Sequence, residues 1–290
     1  MKIVQRLIFF FISIVGIILA GGLPSLLAGL NERRLHFDHY LKDIEEILYA
    51  FMHPGAIKYT VIGGQKERDL FPYLFDPVFY SLTVLFVSFF IAVFIALILT
   101  LISMLFSERV RNRIKLTFYL LESIPDLLII MGSQLAIIYV YKESGILLFN
   151  TASTYDDKAY LLPILILAIL PSIQLFRVTI VSFEFEMQKD YVLLARSIGV
   201  GKLLILISHV LRNAIISVFF QSKKTVWLML SNLFVIELLF NIPGITRFLM
   251  STMQPSLFVL AILSIFIPLF LFYNIGEQVL SKKANRGEEL

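Results

Sequence analysis

Residues 190–214 read DYVLLARSIGVGKLLILISHVLRNA, and the fold turns on how this stretch is read. Its centre, Gly199-Val200-Gly201-Lys202, looks like the end of a phosphate-binding loop. That loop has the form G-x-x-x-x-G-K-[ST], in which backbone N–H groups wrap the phosphates and a hydroxyl holds Mg²⁺. Here the first glycine position is Arg196 and the hydroxyl position is Leu203, so the motif fails at both flanks. Tyr191, Leu194, Ala195 and Ile198 recur at three- and four-residue spacing, which predicts a short helix. Gly199 is placed to end it in a left-handed cap. Leu203, Leu206, Ile207, Val210 and Leu211 predict a second amphipathic helix. The stretch is therefore a helix, a glycine turn and a helix, with no nucleotide in it.

The surrounding chain says where this unit sits. Of 290 residues, 58% are hydrophobic and only 16% are charged. Soluble domains carry nearer a quarter charged residues, so this is an integral membrane protein. Six apolar stretches are each long enough to cross a bilayer, which takes about 20 residues: residues 7–30, 78–106, 116–141, 161–183, 214–240 and 256–275. The first is expected to be a retained span, although Ala20-Gly21-Gly22 offers small residues of the kind a leader peptidase cuts after. Arg109, Arg111, Arg113 and Lys115, against Glu108, make the densest short basic loop, and the positive-inside rule puts it in the cytoplasm. Lys2 and Arg6, and Lys282, Lys283 and Arg286 in the tail, then place both termini there too, as does the loop at 184–213. Acidic Asp156-Asp157 falls in an outer loop. The net charge of +4 needs no nucleic-acid partner, because cytoplasmic Lys and Arg alone raise it.

Four regions are expected: an N-terminal transmembrane helix (1–30), an external segment with a short helix (31–77), a five-helix core (78–280) with the cytoplasmic loop 184–213, and a cytoplasmic tail (281–290). Within the external segment, Leu41, Ile44, Ile47, Leu48 and Phe51 predict one apolar helix face, and Gly63-Gly64 a turn.

Chemistry is sparse. With no cysteine, disulfides, thiolate nucleophiles and Cys-ligated zinc are excluded. His36 and His39 are a weak metal pair, and no H-E-x-x-H occurs. A membrane enzyme would need a nucleophile with its base, or metal ligands, at depth. The candidates at depth are charges instead. A charge at the bilayer centre costs about 2.5–3.5 kcal/mol on insertion scales, so Glu122, Asp126, Lys223 and Lys224 should face protein or water and serve a pathway or gate, while Glu237, near the outer end of its span, either holds the Pro243-Gly244 turn or lines an outer gate. Glu122 and Asp126 are four apart and are expected on one helix face. Lys223 and Lys224 allow two readings. In a continuous fifth helix they lie near the midplane and pair with Glu122, Asp126 or a partner subunit. Alternatively, a surface helix ends at Ser222 and the span begins at Thr225.

The opening stretch resembles the coupling loop of ATP-binding-cassette importer permeases, in the form found in the B-type subunit of the oligopeptide/dipeptide/nickel permease family. Asp190, Tyr191, Val192, Ala195, Arg196, Gly199, His209, Leu211, Arg212, Asn213 and Ala214 match without gaps. Residues 236–245 (IELLFNIPGI) resemble the family's E-x-x-F-x-x-P-G segment, and Ser123-Ile124-Pro125 its S-x-P. There are departures. Leu193 stands where the loop's usual acid would be, Gln221-Ser222-Lys223-Lys224 interrupts a glycine-rich fifth span, and Ser281-Lys282-Lys283 replaces an Asp-Pro-Arg ending.

The resemblance implies an all-α type I importer permease fold with six transmembrane helices in the bacterial inner membrane. It implies a second permease subunit, two cytoplasmic ATP-binding-cassette ATPases and an extracytoplasmic substrate-binding protein as partners. ATP would sit on those ATPases, with no cofactor on this chain and no catalytic site. Tyr191, Ala195 and Gly199 would shape the ATPase contact, while Glu186, Asp190 and Arg196 would pair with charges at its rim. The expected cargo is peptide. Nickel or another small solute, and a secondary transporter or channel, remain the alternatives.

Overall fold

The computed structural model describes residues 3–28, 34–62, 66–146, 149–150, 153, 158–252 and 254–288, with side chains from 4 to 280. Lys2, Gly63-Gly64 and Asp156-Asp157, and the side chains of Lys282, Lys283 and Arg286, lie outside the described residues. The chain is almost entirely helical and divides into two units, Met1–Leu82 with Pro243–Phe272, and Thr83–Ile242 with Tyr273–Leu290.

The first unit holds α1 (Ile3–Gly21), α2 (Leu23–Leu27) and α3 (Phe37–Met52), then β1 (Lys58–Tyr59) and β2 (Arg68–Asp69). It also holds the first turns of α4 (Phe75–Leu105). The strands form a two-residue antiparallel ladder, Lys58 opposite Asp69 and Tyr59 opposite Arg68, a small exception to the all-helical expectation. Ile47 of α3 is fully buried among Ile14, Ile17 and Ile18 of α1 and Val259 and Leu263 downstream. The inward face of α3 is Ile44, Ile47 and Ala50; Leu41 and Leu48, expected on that face, are exposed. The 100° step per residue turns them away from the packed side. Gly21 and Gly22 have a packing reason to be small. A Cβ on Gly21 would collide with Val259, and one on Gly22 would lie 2.9 Å from the Tyr40 ring.

The second unit holds the rest of α4, then α5 (Glu108–Glu122), α6 (Asp126–Ser144), α7 (Leu161–Glu186), α8 (Asp190–Ser197) and α9 (Lys202–Ile205). A π-helical turn (Leu206–Val210) leads into α10 (Leu211–Leu239). α11 (Ile245–Thr252) belongs to the first unit, and α12 (Pro255–Glu288) contributes to both. The core of the second unit forms around α7, whose Leu175, Phe176, Ile180 and Phe183 are fully buried with Val192, Leu206 and Val210.

Two expectations change here. Residues 116–141 are not one interrupted span. α5 stops at Glu122 and α6 starts at Asp126, with Pro125 as the cap between them. Proline lacks an N–H and forces its predecessor out of helical geometry, so the helix ends before it. Glu122 and Asp126 therefore belong to different helices and share no helix face. In contrast, α10 runs unbroken for 29 residues, about 44 Å at 1.5 Å per residue. That removes the reading in which a surface helix ends at Ser222.

Among the described residues, six helices are long and apolar enough to cross a membrane: Val4–Gly21, Phe75–Leu105, Asp126–Ser144, Leu161–Glu186, Lys202–Leu239 and Pro255–Leu280. Their outward faces carry Phe9, Phe11, Phe90, Phe94, Leu128, Leu135 and Trp227, an exposed apolar surface suited to lipid.

Candidate functional site

The helix–glycine–helix unit is built by capping. Asp190 sits in the first turn of α8 and Arg196 in the last, each opposite in sign to the nearby end of the helix dipole. At the C-terminus the Gly199 N–H donates to the Arg196 carbonyl (3.0 Å) and the Val200 N–H to the Ala195 carbonyl (3.0 Å). Gly199 lies at φ +85°, in the left-handed region. These two bonds and one left-handed residue make a Schellman cap. Val200 and Ala195 also pack into one apolar cluster, the hydrophobic contact that accompanies this motif.

The cap fixes which face α8 presents. Val192 and Ala195 point inward and are 0% and 5% exposed, whereas Leu193, Leu194 and Ile198 are 51%, 65% and 72% exposed. The close approach expected at Ala195 is thus made within the chain, and the outward surface is the apolar trio. The sequence signal was present, because Leu194 and Ile198 follow the same four-residue period, but periodicity alone does not say which side is the inside.

Glu186 is also an internal group. It is 8% exposed. The Tyr191 hydroxyl donates to it at 2.5 Å and the Lys189 ammonium lies at 2.7 Å. The Asn213 amide in turn donates to the Tyr191 oxygen at 3.1 Å, tying α8 to the start of α10. Glu186 was expected at the rim; burial and two internal partners make it a pin between α7 and α8 instead. Burial, with the adjacent Glu186 carboxylate, pushes the Tyr191 hydroxyl up to about 12, so it stays a donor at neutral pH. Asp190, Arg196 and Gly199 remain exposed beside the apolar trio. Arg196 also lines a cleft of about 380 Å³, where Arg111 and Lys115 grip Glu184 at 2.6 and 3.0 Å. That link between α5 and α7 was not foreseen. Its residues lie some 70 positions apart, and sequence spacing carries no trace of it.

The charges at depth separate into distinct pairs. Glu122 pairs with Arg177 of α7, whose guanidinium also lies 5.0 Å from the Tyr119 ring. Asp126 accepts from the Asn232 amide at 2.8 Å. Lys223 pairs with Glu277 of α12 and lies near the Phe220 and Tyr273 rings, so it meets neither Glu122 nor Asp126. Lys224, one residue and so about 100° further round the helix, lines a different recess with Glu122 and Arg177. Glu237 is fully buried, and its backbone carbonyl accepts from the Ile242 N–H at 3.0 Å. With Asn241 at φ 52° and its N–H on the Leu238 carbonyl (3.4 Å), this is a second Schellman cap, and it sets the turn before Pro243-Gly244. His36 and His39 stack with ring centroids 5.3 Å apart at the start of α3.

Six spanning helices with a capped, outward-facing helix between the fourth and fifth define a polytopic permease of the type I importer fold. Residues 75–286 match the model of the family described as binding-protein-dependent transport system inner membrane component, and the chain belongs to that family. It is a multi-pass protein of the inner membrane. Similar proteins include the glutathione transport system permease protein GsiC of Pectobacterium atrosepticum, 35% identical over 95 residues. That match covers 33% of this chain and 31% of the relative. The dipeptide transport system permease protein DppB of Escherichia coli is 28% identical over 118 residues, 38% of this chain and 35% of the relative. The matched segment thus spans about a third of the length of each.

Proposed function

We propose that this chain is a B-type permease subunit of an ATP-driven importer of peptides. In this reading it forms the substrate pathway with a second permease subunit and receives cargo from an extracytoplasmic binding protein. Two cytoplasmic ATPases drive it, and ATP binds on them. The chain performs no catalysis and holds no cofactor; it supplies two conformations that differ in access, and nucleotide binding on the partners biases between them. Both termini, the Arg111–Lys115 region and α8 lie in the cytoplasm, in keeping with the basic residues clustered there. The peptide cargo is supported by the names of the relatives.

The observation that carries this reading is the α8 surface. Leu193, Leu194 and Ile198 are large apolar side chains held outward by a rigid cap, on a loop where solvent rather than lipid is expected. An exposed apolar patch with a polar rim, here Asp190 and Arg196, marks a protein contact. Below it, Tyr191 and Glu186 fasten α8 to α7 and α10, so a push on the patch moves spanning helices as a body.

The experiment is reconstitution in liposomes with and without the partner subunits. The reading expects peptide uptake that requires ATP, both ATPases and the binding protein, and none from the chain alone. Uptake by the chain alone, driven by an ion gradient, would establish a secondary transporter instead.

A further inference from the structure

The second unit contains an open recess of about 650 Å³ between α7 and α10. That volume falls in the range of small-molecule sites, about 300–1,000 Å³. Its charged and amide-bearing lining residues are Glu122, Gln174, Arg177, Gln221 and Lys224, beside the hydroxyls of Ser182 and Thr225. Two cations and one anion leave it one positive charge in excess. The Arg177 guanidinium is already engaged by Glu122. Lys224, Gln174 and Gln221, in contrast, have no hydrogen-bond or ion-pair partner among the described residues. An unpaired ammonium on a membrane-spanning helix is unfavourable unless it meets water or an anion. Its neighbour Lys223 is paired with Glu277 and ringed by aromatic groups, so the helix satisfies one lysine and leaves the next directed into the recess.

The geometry points to a carboxylate-binding subsite in this recess: Lys224 is the counter-ion for a free carboxylate of the transported substrate, and Gln174 and Gln221 supply donors and acceptors for its amide groups. This rests on the peptide-importer reading and deepens it to the substrate's terminal chemistry. An ammonium facing a carboxylate, flanked by two side-chain amides, matches the C-terminal end of a short peptide group for group. The Glu122–Arg177 pair also lines the recess, and it keeps Arg177 from competing for the same anion.

The test uses the assembled transporter in liposomes, with wild-type chain, Lys224→Gln and Lys224→Arg. Uptake is measured for one dipeptide with a free C-terminus and for its C-terminal amide, each at a concentration saturating the binding protein. The binding protein is the same throughout, so its own preference divides out when acid-to-amide ratios are compared. Loss of a charge-assisted hydrogen bond is expected to lower the ratio about tenfold in Lys224→Gln. Lys224→Arg, which keeps the charge, should retain most of the preference. An unchanged ratio overturns the subsite, including one where both peptides slow equally because Lys224 serves the second permease or a lipid headgroup; where the amide is not taken up at all, an unchanged rate for the acid in Lys224→Gln overturns it. Failure of the wild-type complex to take up either peptide overturns the peptide reading itself.

Discussion

The Val200 N–H donates to the Ala195 carbonyl across Gly199, whose φ of +85° no β-branched residue adopts without strain. This closure ends α8, with Ala195 buried and Leu194 and Ile198 facing out. A Cβ at Gly199 would meet nothing within 4 Å, so the glycine is required by backbone conformation and not by space.

Gly199→Val is therefore expected to loosen the cap without disturbing the spans. The left-handed conformation costs a residue with a Cβ about 1–2 kcal/mol, enough to populate uncapped loops. In liposomes holding the assembled transporter, substrate uptake should fall at least about tenfold while the amount of inserted chain is unchanged. Uptake at the wild-type rate would mean that the cap does not govern coupling.

Tyr191→Phe removes the donor to Glu186 and leaves that buried carboxylate with Lys189 alone. A loss of about 1–3 kcal/mol is expected, read as a lower melting temperature in detergent. The pH dependence has a definite sign. The Tyr191 hydroxyl is raised to about 12 in the fold against an ordinary value of 10. Its contribution is thus fully present below pH 10 and fades as pH rises toward 12. The difference between wild type and Tyr191→Phe should stay flat from neutral pH to about 9 and narrow above 10. A difference that already shrinks below pH 9 would contradict the Tyr191–Glu186 bond.

Lys223 and Glu277 should behave as a unit. Replacing Glu277 by Gln leaves the Lys223 charge without its carboxylate, and Lys223→Met takes the ammonium away from Glu277. Each single change is expected to cost about 1–3 kcal/mol, and the double substitution to recover at least half of the sum. Thermal unfolding of the four proteins gives the coupling directly. Additive losses would show that the pair contributes nothing.

The sequence carried the large-scale plan in its hydropathy, since six apolar runs predict six spans. It also carried the caps: Gly199 marks its turn because a left-handed residue is wanted there. Asn241, at φ 52°, fills the same role at the end of α10. The partners of the buried charges were not legible. Glu122 was grouped with Asp126 on spacing, but Pro125 severs that helix and Arg177, 55 positions away, takes Glu122 instead. Glu277 sits in a stretch that reads as an ordinary helix end, and only the approach of α10 to α12 pairs it with Lys223. The inward side of α8 was illegible for a similar reason. Tyr191, Ala195, Leu194 and Ile198 share a period, and only the cap at Gly199 together with packing into the cluster around α7 decides that Ala195 goes in and the leucine and isoleucine stay out.

If the ATPase docks on the outward face of α8, single-cysteine cross-linking detects it. The chain has no cysteine of its own, so each introduced thiol is unique. The assembled transporter would carry Leu194→Cys or Ile198→Cys, with Phe9→Cys on the exposed face of α1 as control, and be treated with a short bifunctional thiol-to-amine reagent. Leu194→Cys and Ile198→Cys are expected to join the chain to the ATPase with a yield that changes with ATP, and Phe9→Cys to give no such product. Cross-linking no stronger from α8 than from Phe9 would contradict it.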